Sequence, residues 1–140
     1  MKVAIVAARF NAFIVDPLLA ATTAKLRDNG VGERDIFVAH VPGAFEVPAV
    51  AQRLAEGGGW DAIICLGCVI RGATSHYELV AGHAAYGVGE VAMKAKVPVI
   101  FGVLTVENVE QAIERVGHGA SFAQSALDMA TLYKQMEAQR

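Results

Sequence analysis

AIICLGCVIRGATSH, residues 62–76, is the segment from which the fold is most readily predicted. Its first part, residues 62–66, is continuously apolar, which is typical of a strand buried on both faces of a sheet. Gly67 to Thr74 then predict a loop, and a long helical pattern follows from Ser75 to Lys96. The segment therefore predicts one strand–loop–helix unit of an α/β fold.

The rest of the chain repeats this alternation of apolar runs and helical patterns. Asp16 and Pro17 predict the start of the first helix, as its cap and first helical residue, and Gly30 predicts its end. Gly117 and Gly119 predict a break between the last two helices. The other predicted strands are residues 2–7, 35–41 and 97–103, and the other predicted helices are residues 16–29, 46–56, 107–116 and 121–139.

Apolar strands that alternate with helices indicate a parallel sheet covered on both faces. Right-handed crossovers then give a three-layer α/β/α sandwich, flavodoxin-like, with a four-stranded parallel sheet and a single domain over residues 1–140. Ligands bind such folds beyond the carboxyl ends of the strands. We therefore expect the site in the segments that follow Ala8, His40, Leu66 and Phe101.

Composition limits the classes of function. Of the 140 residues, 54% are hydrophobic and only 19% are charged, which is below the usual charged share of about a quarter. No apolar run reaches the roughly 18 residues of a membrane span, so we expect no membrane partner and an apolar surface buried between copies of the chain. A net charge of −2 with scattered basic residues argues against a nucleic-acid partner. The chain enters a strand pattern at once, without a signal peptide, so we expect a cytoplasmic protein.

Gly67 to Thr74 match the spacing of a phosphate-binding P-loop, G-x-x-x-x-G-K-[ST], except that Ala73 replaces the lysine. The missing lysine argues against a nucleoside triphosphatase, but backbone N–H groups and the start of the next helix still favour a phosphate. His76 follows directly and could transfer protons at cellular pH. The alternative is a glycine-containing turn capped by Thr74, with His76 satisfied by the first helical turn.

Other strand-end residues have both a functional and a structural interpretation. Phe10 and Phe101 could stack on a flat heterocycle or pack in the core. Glu46, at a helix start, could accept hydrogen bonds from a polyol, and Arg115 could bind a phosphate or lie on a solvated helix face. Cys65-Leu66-Gly67-Cys68 has C-x-x-C spacing, but Cys65 lies inside the predicted strand and no second pair follows, so we assign no metal site.

Four blocks are specific when they are taken together. They are Arg9-Phe10-Asn11, VPGAFEVP at 41–48, GCVIRGATSHYE at 67–78 and PVIFGVLTVENVEQAIERVG at 98–117. In this order and spacing they closely resemble the lumazine synthase (6,7-dimethyl-8-ribityllumazine synthase) family. The resemblance covers nearly the whole chain, from the first strand to the last helix.

The resemblance implies a reaction that uses no metal or organic cofactor. It is the condensation of 5-amino-6-(D-ribitylamino)uracil with 3,4-dihydroxy-2-butanone 4-phosphate to 6,7-dimethyl-8-ribityllumazine, with release of phosphate and water. This is the penultimate step of riboflavin biosynthesis. The resemblance also implies a homo-oligomer, a pentamer or larger, with the active site at the subunit interface.

The same resemblance implies roles for individual residues. His76 transfers the proton, Arg115 of a neighbouring subunit binds the phosphate, and Phe10 stacks on the pyrimidine. The other substrate-binding residues are Ala44, Phe45 and Glu46 on the ribityl chain, Val69 and Ile70 on the pyrimidine, Gly72, Ala73 and Thr74 on the phosphate, and Phe101 and Glu114 from the neighbouring subunit.

The chain departs from the family pattern after Arg115. Family members carry a lysine-bearing GTKAGNKG-like segment there, whereas this chain has no lysine between Arg115 and Lys134. The departure motivates one alternative, a member that binds lumazine or flavin without turnover. The apolar surface motivates a second alternative, a mainly structural assembly protein. The retained site residues argue for the enzyme, and the size of the assembly stays open.

Overall fold

The computed structural model describes residues 1–140 and contains one four-stranded parallel sheet, in which the second, first, third and fourth strands of the chain lie side by side in that order. Short 3₁₀ turns, Glu33–Asp35 and Ala44–Glu46, precede the second strand and the second helix. The strands are β1 (Val3–Ala8), β2 (Ile36–Val41), β3 (Ala62–Ile70) and β4 (Val99–Val106), and the helices are α1 (Ala12–Asp28), α2 (Val47–Gly57), α3 (His76–Lys94), α4 (Val109–Glu114) and α5 (His118–Ala138). The predicted flavodoxin-like α/β/α sandwich is confirmed.

Side chains of the two central strands alternate between two apolar cores, one on each face of the sheet. Ile5 and Ile64 point into the core that is closed by α1 and α5. Val6 and Cys65 point into the core that is closed by α2 and α3. Both faces are therefore covered, which explains why these strands are apolar at every position.

Besides β4, which ends at Val106 instead of Val103, three predicted boundaries are wrong by three residues or more. Helix α1 begins at Ala12 rather than at Asp16, because Asn11 occupies the cap position, and Pro17 lies inside the helix. Helix α5 begins at His118 rather than at Ser121, because the predicted glycine break is only the short turn after α4.

No helix of the chain is both long and apolar enough to cross a bilayer.

The third error concerns β3, which continues to Ile70 instead of ending at Leu66. It continues because β4 runs beside it as far as Val106 and pairs with it throughout. Residues 67–70 therefore belong to the strand, and only residues 71–75 connect it to α3. The P-loop spacing in the sequence does not form a P-loop, and the last residues of β3 project beyond β1.

Candidate active site

The carboxyl ends of β1, β2 and β3 open into one cavity of about 660 Å³. Its walls come from the turn after β1, the 3₁₀ turn after β2, the end of β3 and the start of α3. The residues proposed from the sequence that line this cavity are Phe10, Ala44, Phe45, Glu46, Val69, Ile70, Gly72, Thr74 and His76. The cavity thus lies where a parallel sheet of this kind binds its ligands.

The turn after β1 places an aromatic ring at the mouth of the cavity. The Phe10 side chain is 71% exposed, although a lone phenylalanine usually packs in the core. Its backbone is held in place, because the Arg9 N–H donates to the Val41 carbonyl (2.8 Å) and the Phe10 N–H donates to the Pro42 carbonyl (3.0 Å). The ring is therefore presented by a fixed backbone and is free to stack on a planar ligand.

The 3₁₀ turn after β2 contributes the second wall. Phe45, which is half exposed, stacks on the His83 imidazole of α3, with ring centroids 3.8 Å apart and an angle of 18° between the ring planes. Glu46 follows Phe45 at the end of this turn, directly before α2. Gly43 lies between the two walls, since a Cβ atom built there would be in ordinary van der Waals contact with Glu46 Oε1 (3.4 Å) and Phe10 Cβ (3.9 Å). The turn thus brings Glu46 close to the Phe10 wall.

The projecting end of β3 contributes backbone groups. In a parallel ladder, alternate residues direct their N–H and carbonyl groups to opposite neighbours. The Ile63 N–H donates to Pro98 and the Arg71 N–H donates to Val106, so the odd residues of β3 face β4. Pairing with β1 ends at Ala7–Leu66, and the N–H and carbonyl groups of Ile70 therefore face the side where β1 has already ended. These groups are placed to bind the edge of a heterocycle.

The connection from β3 to α3 forms the end of the cavity. Gly72, Ala73, Thr74 and His76 are all exposed, and the His76 N–H donates to Thr74 Oγ1 at 3.3 Å. Since the Thr74 hydroxyl accepts this bond, its own proton remains available for a ligand. The N-terminus of the 19-residue helix α3 adds its positive end. The segment therefore suits an anion.

Arg71 begins this connection but is committed to protein partners. Its guanidinium donates to Glu78 and, at 2.6 Å, to Glu107 Oε2, and it lies 4.3 Å from the centre of the Tyr77 ring. The hydrogen bond from Arg71 holds the pKa of Glu78 below its ordinary value. Arg71 thus ties the connection to α3 and to the end of β4, rather than offering a free cation to the cavity.

Four residues proposed from the sequence do not line the cavity of their own chain, namely Ala73, which lies between the lining residues Gly72 and Thr74, and Phe101, Glu114 and Arg115. Phe101 lies on the edge strand β4 and is 37% exposed. Glu114 is the last residue of α4, and the Arg115 guanidinium donates to the Gln111 carbonyl at 2.9 Å while about two fifths of its side chain is exposed. The sequence groups these residues with the site, but within one chain the structure does not bring them to the cavity.

The two cysteines face opposite sides of β3. Cys65 belongs to the core under α2 and α3, and Cys68 belongs to the core under α1 and α5. Both are free thiols, and burial raises the pKa of Cys65 to about 12 and that of Cys68 to about 11. A pair separated by the strand cannot act as a C-x-x-C redox couple, which agrees with the interpretation of the sequence.

The family model described as 6,7-dimethyl-8-ribityllumazine synthase matches residues 1–134 of the 140-residue chain. The chain belongs to this family. Membership in the lumazine synthase family connects the chain with lumazine synthesis in the riboflavin pathway, and it confirms the resemblance that the four sequence blocks carry.

Sequence reasoning missed several residues of the cavity in this lumazine synthase family member. They are Asn11, Pro42, Gly43, Cys68, Tyr77 and Val80. Val80 lies four residues after His76 on α3, so helical spacing could have predicted that it shares the face of His76, whereas Tyr77 directly follows His76 and has no such signal. Asn11 had one signal, since asparagine is among the few residues that tolerate a left-handed backbone at a strand end.

Proposed function

We propose that this chain condenses 5-amino-6-(D-ribitylamino)uracil with 3,4-dihydroxy-2-butanone 4-phosphate to form 6,7-dimethyl-8-ribityllumazine. One observation carries the proposal. A single cavity combines an exposed aromatic ring, free backbone groups at a strand edge and an anion-suited helix start with a histidine beside it. These features match the three parts of the reactants, which are a flat pyrimidine, a polyol and a phosphate ester.

The proposed reaction balances without an external reagent. The primary amine of the pyrimidine attacks the ketone, and an imine forms with loss of one water. Loss of the proton from C3 of the butanone then allows the phosphate to leave from C4 as its C–O bond breaks, and the enol that forms takes up a proton at C4 to become a carbonyl at C3. The ribitylamino nitrogen attacks the carbonyl that results, and loss of a second water closes the ring. Each lumazine is thus accompanied by one phosphate and two waters.

The pyrimidine and its side chain occupy the half of the cavity between the strand ends. The Phe10 ring stacks on the pyrimidine and Ile70 offers backbone groups to its edge, while Val69, whose own backbone groups face β4, lines the cavity beside them. Ala44, Phe45 and Glu46 hold the ribityl chain, with the Glu46 carboxylate accepting hydrogen bonds from its hydroxyls. Holding the two reactants together removes much of the entropic barrier of the bimolecular step.

The phosphate occupies the other half. Gly72, Ala73 and Thr74 surround it with backbone N–H groups and one hydroxyl, at the positive end of α3. His76 lies within the same segment and moves the proton as the phosphate leaves. General acid–base catalysis of this kind contributes about 10²- to 10⁴-fold.

A neighbouring subunit completes the site. Phe101, Glu114 and Arg115 are partly or largely exposed and lie outside the cavity of their own chain. In a pentamer or larger ring they reach the cavity next door, where Arg115 binds the phosphate bidentately. Exposed apolar side chains such as Leu79, Tyr86 and Met93 on α3 support burial between subunits.

The test is to mix the purified protein with both substrates and follow lumazine by absorbance and phosphate by a colorimetric assay. Wild type should form the two products in equal amounts and above the uncatalysed rate. H76A should lose about 10²-fold or more of kcat. H40A is the matched control, because His40 is exposed on the edge strand β2 and does not line the cavity.

H40A should keep the wild-type rate. Normal oligomers that bind the pyrimidine but make no lumazine would contradict the proposal and indicate a non-catalytic family member. A rate unchanged in H76A would contradict the role of the histidine.

A further inference from the structure

Asn11 has an unusual backbone. It is the only residue other than glycine with a positive φ, at φ 61° and ψ 43°. Left-handed conformations are costly for residues with a Cβ atom and persist where the surroundings require them, often at functional sites. The Asn11 carbonyl accepts the first bonds of α1, from the N–H groups of Ile14 and Val15, but its side chain does not cap the helix.

The Asn11 side chain instead bonds to a strand 57 residues away. Its Nδ2 donates to the Cys68 carbonyl at 2.8 Å, in a partly buried contact. Cys68 is an even residue of β3, so its carbonyl faces the side where β1 has ended. Asn11 therefore supplies the donor that a longer β1 would have supplied.

The next residue of β3 with groups on this side is Ile70. Asn11 thus donates the last hydrogen bond that the protein itself makes along this edge of β3. The next backbone groups on the same edge, those of Ile70, face the cavity. Asn11 also follows Phe10, whose N–H bonds to Pro42 at the start of the second wall. One residue consequently connects the ends of β1, β2 and β3.

We infer that Asn11 is a positioning residue that sets the gap between the Phe10 ring and the free backbone edge at Ile70, and thereby the slot for the pyrimidine. This inference rests on the proposed function for its substrate. The claim that Asn11 sets the width of the slot concerns the ligand-free protein alone and does not depend on the substrate. A loss of the Asn11–Cys68 bond should weaken binding of the pyrimidine more than binding of the phosphate substrate, which lies at the other end of the cavity.

Three substitutions separate the backbone role of Asn11 from its hydrogen bond. N11G keeps the left-handed conformation and removes the donor. N11D keeps the size and shape of the side chain, and aspartate also tolerates the left-handed backbone, but it places a carboxylate oxygen against the Cys68 carbonyl. N11A removes the donor and adds backbone strain, so it should have the lowest Tm of the three.

N29D is the matched control. Asn29 ends the same helix, and its Nδ2 also donates to a backbone carbonyl, that of Lys25 at 2.8 Å, far from the cavity. N29D therefore loses an equivalent bond without touching the proposed slot. A merely structural effect on α1 should be the same in N11D and N29D.

The experiment measures KM for each substrate, kcat, Tm and amide hydrogen exchange of residues 69–71 in the ligand-free protein. N11D and N11G should raise KM for the ribitylaminouracil about ten-fold, the change expected for the loss of a positioning hydrogen bond. KM for the butanone phosphate should change less than about two-fold, and kcat should stay close to wild type. Exchange at residues 69–71 should accelerate in N11D and N11G, and N29D should match wild type in all but Tm.

Unchanged KM and exchange in N11D and N11G, or an equal rise in KM for both substrates, would overturn the inference. If N11D does not fold, N11G decides the question alone. Wild-type protein that makes no lumazine would refute the proposed function. Faster exchange in N11D and N11G would then still support the geometric role of Asn11, and unchanged exchange would refute it.

Discussion

At the scale of single residues, Cys65 and Cys68 show how a strand separates two groups that are close in the sequence. Successive side chains of a strand alternate between faces, so residues three apart point in opposite directions. Each thiol is buried in a different core, and burial raises both pKa values above the ordinary value of 9.0. Desolvation favours the neutral thiol in the folded chain.

These shifts predict a loss of stability at alkaline pH. The unfolded chain releases the thiol protons near pH 9, whereas the folded chain retains them to about 11 and 12. The contribution of the thiols is therefore fully present below about pH 9 and is lost as the pH rises through 11. Denaturant titrations between pH 8 and 10.5 should show a falling free energy of unfolding, and the decline should be smaller in C65A. An identical decline in C65A would contradict the assignment.

Single residues also mark how far the site could be predicted from the sequence. Phe10, Glu46, Thr74 and His76 follow strands or open helices, and the fold class alone brings such positions together at one edge. The role of Asn11 could not be predicted, because it depends on where β1 ends relative to β3. That offset is fixed by pairing between segments far apart in the chain.

At the scale of elements, α1 and α5 pack side by side at a glycine. Gly119 is buried, and a Cβ atom there would collide with the Leu18 carbonyl oxygen and lie 2.8 Å from the Thr22 hydroxyl. Thr22 is itself fully buried, and its hydroxyl donates to the Leu18 carbonyl at 2.9 Å. Gly119, which the sequence predicts to interrupt the helix, thus lies in the first turn of α5 and permits close contact between α1 and α5.

G119A should therefore destabilise the protein by about 1–3 kcal/mol, the usual cost of overpacking a core. G57A is the control, because a Cβ at Gly57, the last residue of α2, meets no atom within 4 Å. It should be neutral or stabilising by up to about 1 kcal/mol, since alanine favours a helix. Chemical denaturation of both variants measures the difference. Equal stability of G119A and wild type would contradict the packing described for α1 and α5.

The elements themselves were largely predictable, and their ends were not. Four apolar runs and the glycines between them indicate the strands and their parallel arrangement. The end of β3 was misplaced because Gly67 suggests a loop, whereas the partner strand β4 extends the ladder to Ile70. The start of α1 was misplaced because Asp16-Pro17 imitates a helix start inside a helix that begins at Ala12.

At the scale of the whole molecule, composition and surface both fit the assembly that we propose. The chain is poor in charge, and large apolar side chains are exposed on α3, α4 and α5, including Leu79, Ile113 and Leu132. Arg115 lies outside the cavity although an anion-suited segment lies within it. A site completed by a neighbouring copy accounts for both observations.

Activity in mixed oligomers tests most directly whether two chains share the site, because the proposed site takes His76 from one chain and Arg115 from the next. H76A and R115A, each nearly inactive alone, should regain activity when they are refolded together in equal amounts. Roughly a quarter of the sites would then combine both wild-type residues, since each partner is correct in about half of the positions. A mixture of F101A and R115A is the control, because neither chain supplies a complete neighbour.

We expect roughly a quarter of the wild-type rate of lumazine formation for the H76A and R115A mixture, and no recovery for the F101A and R115A mixture. Mixed oligomers of normal size that stay inactive in both cases would contradict a lumazine-forming site shared between two chains.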